Sequence, residues 1–358
     1  MIRSLIAILL AAILLAADHD AAAQLATRPY RIYAITFRGM TDVEKGFQDY
    51  FAARHIPVQI TFRDLNRDNS RMAGFVEEIR RTKPDLIYTW GTSVTLGVVG
   101  AYDQVDPTQN ITDIPVVFTL VAAPVLAKIV RDLKNPGRNV TGVYHVAPTE
   151  TQMRAMASYR PFKSVGILYT PTEQNSVVVV EEVREVAKRL GFTVVAKALK
   201  LDANKKVTAD GAPEMIRDMK LQSNVEWLYL PPDSYLGTIA QKVVIPAAMQ
   251  VGLPAFASTE QLMEVGALTG LVSRYHSIGQ FTAYKAEQIL VNKVPPSKIP
   301  VETLTRFALQ VRMDVAEALK LPPPLPMFNY AELIVPKAED RIQATLAAQA
   351  AAPGAAPK

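Results

Sequence analysis

Residues 83–105 read KPDLIYTWGTSVTLGVVGAYDQV. Pro84 punctuates, and residues 85–90, DLIYTW, form an apolar run of strand length that stops at Gly91. Two hydroxyls, Thr92 and Ser93, follow, and the remainder suits a helix. A buried strand that feeds through a glycine into a helix is the repeating step of a parallel sheet covered by helices. TWGTS itself admits three readings: plain punctuation, a nucleophile on an elbow, or one wall of a binding site.

Outward from this step the pattern repeats. Upstream, YRIYAIT (30–36) and VQITFRD (58–64) read as strands. The helices between them carry Val43, Phe47, Tyr50 and Phe51, then Met72, Phe75, Val76 and Ile79, at helical spacing. Downstream, IPVVFTL (114–120) is a fourth strand and PVLAKIVRDL the next helix. The series then restarts. KSVGILYTP, FTVVAKALKL, VEWLYLP, LPAFAST and GALTGLV read as strands, and PVETLTRFALQVR is strand-like. NSVVVVEEVREVAKRLG reads as a helix despite its four valines, because Val179, Val183, Val186 and Leu190 share a face and Gly191 ends it. TADGAPEMIRDMKL, GTIAQKVVIPAAMQVG, the amphipathic SIGQFTAYKAEQILVNK and MDVAEALKL supply further helices. Two such series define an α/β chain of two similar lobes, each a parallel sheet flanked by helices.

The 358 residues are ample for two cores. The formal charge is +5, with basic residues scattered and no Lys/Arg run interleaved with aromatics, so nucleic acid is disfavoured as a partner. Arg3, the apolar run 5–17 and the small residues Ala21, Ala22 and Ala23 predict a secretory signal peptide over 1–23, cut after Ala23. The chain has no cysteine, hence neither a disulfide framework nor a lipid-modified cysteine. A periplasmic protein is expected. The Ala/Pro/Gln-rich segment 344–358 is expected to be a disordered tail.

Open parallel sheets bind ligands beyond the carboxyl ends of their strands. Those ends carry Phe37 and Arg38; Trp90, Gly91, Thr92 and Ser93; Val121 and Ala122; Glu173, Asn175 and Ser176; Asp233, Ser234 and Tyr235; Ser258, Thr259 and Glu260; and Ser273, Arg274 and Tyr275. Several open a helix, where free N–H groups and the dipole favour an anion. Ser, Thr, Asp and Asn are also the ordinary N-caps, so Thr92 or Ser93, Asn175 or Ser176, and Asp233 or Ser234 read equally as caps. The case for a site rests on the set. Trp90 is either core or ligand wall.

Enzyme signatures are missing. Gly91-Thr92-Ser93-Val94-Thr95 lacks the last Gly of a nucleophile elbow. His19, His55, His145 and His276 have no metal-ligand spacing; His145 and His276 lie near possible crossovers, where they read as structural first and as approaching a cleft second. No phosphate-binding glycine loop is present. No catalytic residue, metal or cofactor is expected.

KPDLIYTWGTS, IPVVFTLVAAPV, NPGRNVTGV, VGILYTPTEQNSV, LPAFASTE and KIPVETLTRFALQVRMDVAEALKLPPP together resemble the periplasmic binding proteins of ABC transporters, in the family that includes TrpX-like proteins. The resemblance spans about residues 30–328. It implies a type I periplasmic-binding fold: two α/β lobes, joined by three crossovers, closing on a small solute. Lobe 1 would hold 28–143 and 273–300, and lobe 2 would hold 144–272 and 301–335. Implied ligand contacts are Thr92 and Ser93, the segment after Leu120, Asn175, Ser176, Asp233 and Ser234, and residues 258–260. Phe37, Trp90, Tyr235 or Tyr275 would flank an apolar body. Where many relatives have Asp-Pro and Gly-x-Asp-Tyr, this chain has Ala123-Pro124 and Val272-Ser273-Arg274-Tyr275, which removes two carboxylates; Arg38 and Arg274 add cations. The ligand expected is an aromatic or amino-acid-like solute, or an aromatic carboxylate. The partner expected is an ABC permease, with a membrane sensor kinase as the alternative, and the protein is expected to be a monomer.

Overall fold

The structure, a computed structural model, describes residues 28–335; the signal peptide expected over 1–23 and the tail expected over 344–358 lie outside them. The first lobe is built from β1 (Tyr30–Thr36), α1 (Asp42–Ala53), β2 (Val58–Asp64), α2 (Met72–Thr82), β3 (Leu86–Trp90), α3 (Gly91–Val99), β4 (Val116–Val121) and β5 (Val140–Tyr144). Its sheet runs β2-β1-β3-β4-β5, parallel throughout. β3 and β4 are buried along their whole length, as strands covered on both faces must be.

The second lobe follows with α4 (Thr149–Tyr159), β6 (Ser164–Tyr169), α5 (Gln174–Leu190), β7 (Thr193–Ala198), α6 (Ala212–Leu221), β8 (Trp227–Leu230), α7 (Ser234–Ile239), α8 (Ile245–Gln250), β9 (Ala255–Ala257), α9 (Glu260–Glu264) and β10 (Thr269–Val272). Then come α10 (Tyr275–Leu290), β11 (Ala308–Arg312), α11 (Met313–Ala318) and β12 (Glu332–Ile334). The seven-stranded sheet runs β12-β11-β10-β9-β8-β6-β7, with β10 and β11 antiparallel. Strand alternation splits its core in two: Val165, Ile167, Trp227 and Tyr229 face α4 and α5, while Leu168, Leu228 and Leu230 face the other side. The two-lobed α/β reading of the sequence holds.

The chain leaves lobe 1 after β5 and returns with α10, which packs on α1 and against β4 and β5. That packing is backbone against backbone. A Cβ on Gly279 would sit 1.9 Å from the Val43 carbonyl oxygen, and one on Gly46 would sit 2.0 Å from that of His276. The chain then lays residues 299–302 along β5: Tyr144 N–H donates to the Glu302 carbonyl (3.0 Å) and Thr141 Oγ1 to the Ile299 carbonyl (2.7 Å). Lys285, buried in α10, fixes this crossover by donating to the Pro300 carbonyl (2.6 Å) and Glu302 Oε2 (2.7 Å).

Some local expectations fail. PVLAKIVRDL is not a helix but a run of turns. Lys128 takes a left-handed φ of 58°, and Ala127, Ile129 and Val130 are all buried, which a single helical face does not allow. GTIAQKVVIPAAMQVG is helical but passes through a π stretch, Ala240–Val244, just before Pro246, whose missing N–H interrupts the regular ladder. NVTGVY and TETQMRAMASY, unassigned from sequence, are β5 and α4.

Candidate functional site

The strand ends of both lobes meet around a cleft with about 450 Å³ of empty space, counting its mouth open to solvent. From lobe 1 its walls include Arg38 after β1, Trp90 and the first turn of α3 (Gly91, Thr92), and Leu120 and Ala122 at the end of β4. His145 and Tyr275 stand at two crossovers, their rings edge to face with centroids 6.1 Å apart. Lobe 2 supplies Asn175, then Pro232, Asp233 and Ser234, then Thr259, Gln261 and Leu262.

The lobe 1 wall follows from TWGTS. Gly91 has φ 79°, which lets the chain turn from strand to helix within one residue. The helix begins at Gly91 itself, with Trp90 as N-cap and no side-chain cap. The expected capping by Thr92 or Ser93 is therefore corrected: both lie inside the first turn, too late to cap it. The first-turn N–H groups of α3 consequently have no side-chain acceptor. Thr95 instead holds the helix by donating to the Gly91 carbonyl (2.7 Å). Trp90 is 7% exposed and is both wall and core, stacked on Phe37 at 6.2 Å. The Arg38 guanidinium lies 4.9 Å over its ring. The Trp90 indole N–H is buried with no partner. Leu120 adopts a left-handed φ of 51° where the β4–β5 register breaks, a conformation that costs a non-glycine residue on the order of 1–3 kcal/mol and concentrates at functional sites.

Lobe 2 is arranged differently. Asp233 is buried and its carboxylate accepts four hydrogen bonds: from Thr170 N–H (2.7 Å), Thr170 Oγ1 (2.8 Å), Ser176 Oγ (2.7 Å) and Leu236 N–H (2.7 Å). Glu173 accepts from the N–H groups of Ser234 and Tyr235, each at 2.9 Å. Burial, with Asp233 close by, pushes the Glu173 carboxyl up to about 7. The N-terminus of α7 is thus filled by the protein's own carboxyl groups. Asn175 donates to the Pro232 carbonyl (2.7 Å) and keeps its amide oxygen free of protein partners.

Of the residues singled out from sequence, Arg38, Trp90, Gly91, Thr92, Ala122, Asn175, Asp233, Ser234, Thr259 and Tyr275 line the cavity. Phe37 stands behind Trp90, and Val121 is wholly buried in the sheet. Ser93 and Tyr235 are outside the lining. Ser176 is bonded to Asp233, and Ser258 is buried beneath the wall with an unpartnered hydroxyl. Arg274 turns away to pair with Glu332 (2.6 Å). His145 lines the cavity, as its place near a crossover allows, and Leu120, Pro232, Gln261 and Leu262 join the wall unforeseen. Reading NVTGVY as a strand would have fixed the place of His145, which follows its carboxyl end.

His145 is no satisfied structural histidine. Its Nδ1 is buried without a partner. Burial pushes it down to about 4, the nearby backbone of Val121 opposes this, and Arg38 adds to it. Its native form is therefore neutral, whereas the unfolded chain takes up a proton near the ordinary histidine value. The resulting stability is complete above about pH 6.5 and is lost as pH falls towards 4, by about 3 kcal/mol in all. Glu173, raised rather than lowered, acts with the opposite sign over much of this range. The difference between wild type and His145→Phe isolates the histidine. Melting temperatures from pH 7 to 4 should fall further for wild type, and parallel curves would refute the assignment.

Two lobes whose strand ends converge on one cavity, with polar groups left unpartnered in its wall, define a solute-binding protein. The sequence profile of the family described as ABC transporter substrate binding protein matches residues 33–326, and the chain belongs to that family. A protein of Clostridioides difficile (strain R20291) named tyrosine-binding protein is 26% identical over 265 residues, covering 74% of this chain and 71% of the relative. Among solved structures, an ABC domain from Streptococcus pneumonia in complex with L-Trp is 24% identical with a TM-score of 0.73, covering 86% of this chain and 100% of that one. A leucine binding protein, LivK, from Thermotoga maritima MSB8 is 15% identical with a TM-score of 0.54, covering 74% and 83%. These likenesses place the fold among type I periplasmic binding proteins.

Proposed function

We propose that this chain is the periplasmic solute-binding component of an ABC importer, closing on a small aromatic or amino-acid-like solute, or an aromatic carboxylate, and presenting the closed form to a membrane permease. The observation that carries this reading is the inter-lobe cavity, walled from both lobes and edged by Trp90, Tyr275 and the open N-terminus of α3. The hydrophobic N-terminal run and the family support export and transport. The relatives named for tyrosine and tryptophan support an aromatic solute. The hinges would lie after β5, between β10 and α10, and after residue 302, and closure would turn on these three crossovers.

A thermal-shift screen of aromatic amino acids, aromatic acids and small carboxylates tests this. A true ligand at a hundred times its Kd should add about 2.7 kcal/mol of stability. Thr92→Ala with Ser93→Ala should weaken the effect through the α3 end. A flat screen across all solutes would sink the reading.

A further inference from the structure

We propose that the solute is an aromatic acid without an α-ammonium group, its carboxylate held in lobe 1 by Arg38 and the first turn of α3. This rests on the solute-binding reading above and narrows it. The first observation is that the wall's carboxylate is already satisfied while its cation has no carboxylate paired to it. Arg38 and Asp233 are the charged side chains of the cavity wall. The four donors already on Asp233 occupy its acceptor capacity, so it has none left for an ammonium group. Among the described residues no carboxylate lies within ion-pair distance of Arg38, although Glu264 is near enough to act on its charge; its guanidinium lies beside Tyr275 and on the Trp90 face.

The second observation is the contrast between the two helix ends. In lobe 2, Asp233 and Glu173 accept from the N–H groups of Ser234, Tyr235 and Leu236. In lobe 1, nine-residue α3 has no such acceptor. Beside that open end stands Trp90, a wall residue more than nine-tenths buried whose indole N–H has no partner. A cation and the open end of α3 therefore stand on one side of the cavity with no protein carboxylate paired to either. A carboxylate completes them with charge-assisted bonds. An α-ammonium group beside Arg38 would be repelled and would find only neutral acceptors, such as the Asn175 amide oxygen, to replace its water. The rings of Tyr275 and His145 and the side chains of Leu120 and Leu262 suit an aromatic body.

The test is calorimetric titration of the exported chain with matched pairs at neutral pH: 3-phenylpropionate against phenylalanine, 3-(4-hydroxyphenyl)propionate against tyrosine, and indole-3-propionate against tryptophan. The expected result is that within at least one pair the acid binds about tenfold or more tighter than its amino acid. Arg38→Gln should weaken that acid about 30-fold while leaving the melting temperature of the ligand-free protein near wild type. Amino acids that bind equally or better than their acids overturn the ligand class and leave the solute-binding reading standing. An acid whose affinity is unchanged by Arg38→Gln overturns the placement of its carboxylate. Silence from every compound overturns both this inference and the aromatic-solute reading beneath it.

Discussion

Asp233→Ala is expected to destabilise the protein by about 3–5 kcal/mol, among the largest losses any single polar truncation here should cause. The carboxylate is 5% exposed and is the common acceptor for the β6 end, the start of α5 and the first turn of α7. Alanine would strand two backbone N–H groups and two hydroxyls at once. Each buried donor left unmade costs about 1–3 kcal/mol, less whatever water in the cavity recovers. Ser176→Ala removes one of the four donors and leaves the carboxylate well served, so it should cost only about 1 kcal/mol. Urea unfolding followed by circular dichroism separates the two. Equal midpoints for Asp233→Ala and wild type would show that this acceptor is not what holds the three segments together.

Gly279→Val should be at least as damaging, with a loss above about 3 kcal/mol or outright failure to fold. The added Cβ would lie 1.9 Å from the Val43 carbonyl oxygen, an atom of helix backbone that cannot swing aside. Relief requires α10 to move off α1, which uncovers Val43, Phe47, Ile278 and Ala283 in the lobe 1 core. Gly46→Ala tests the same seam from its other side, against His276. Gly74 provides the control. It lies inside α2 with nothing near its would-be Cβ, so Gly74→Ala should stabilise by about 0.5–1 kcal/mol. Denaturation midpoints that fail to separate Gly279→Val from Gly74→Ala would refute the close helix crossing.

Much of this was legible in the sequence because strand burial and helix periodicity are local signals. The valines of α5 are an example: Val179, Val183 and Val186 share the buried face although valine is a poor helix former. PVLAKIVRDL fails for the complementary reason. Its apolar residues suit a helix, but the backbone reversals at Leu120 and Lys128 are set by packing that no local pattern records. The strand-end rule gathered most of the cavity wall, since parallel topology fixes where those ends go. It could not tell which polar groups were already spent. Asp233 and Ser176 look as available as Thr92 until their partners, far away in sequence, are seen. Nor could it decide between Arg38, which lines the cavity, and Arg274, which pairs with Glu332.

The glycine seam between α1 and α10 also sets an order of assembly. A growing chain makes all five strands of lobe 1 by residue 144, yet the helix that covers them starts at residue 275. Until then only α1 lies on that face of the first sheet, and its β4–β5 side has no helix over it. Its core closes only by a contact spanning well over two hundred residues of sequence, the kind of long loop closure that slows folding. The amino-terminal half therefore cannot become fully native until nearly the whole chain has been made. In the exported protein proposed above, such a built-in delay would favour threading across the membrane over premature compaction.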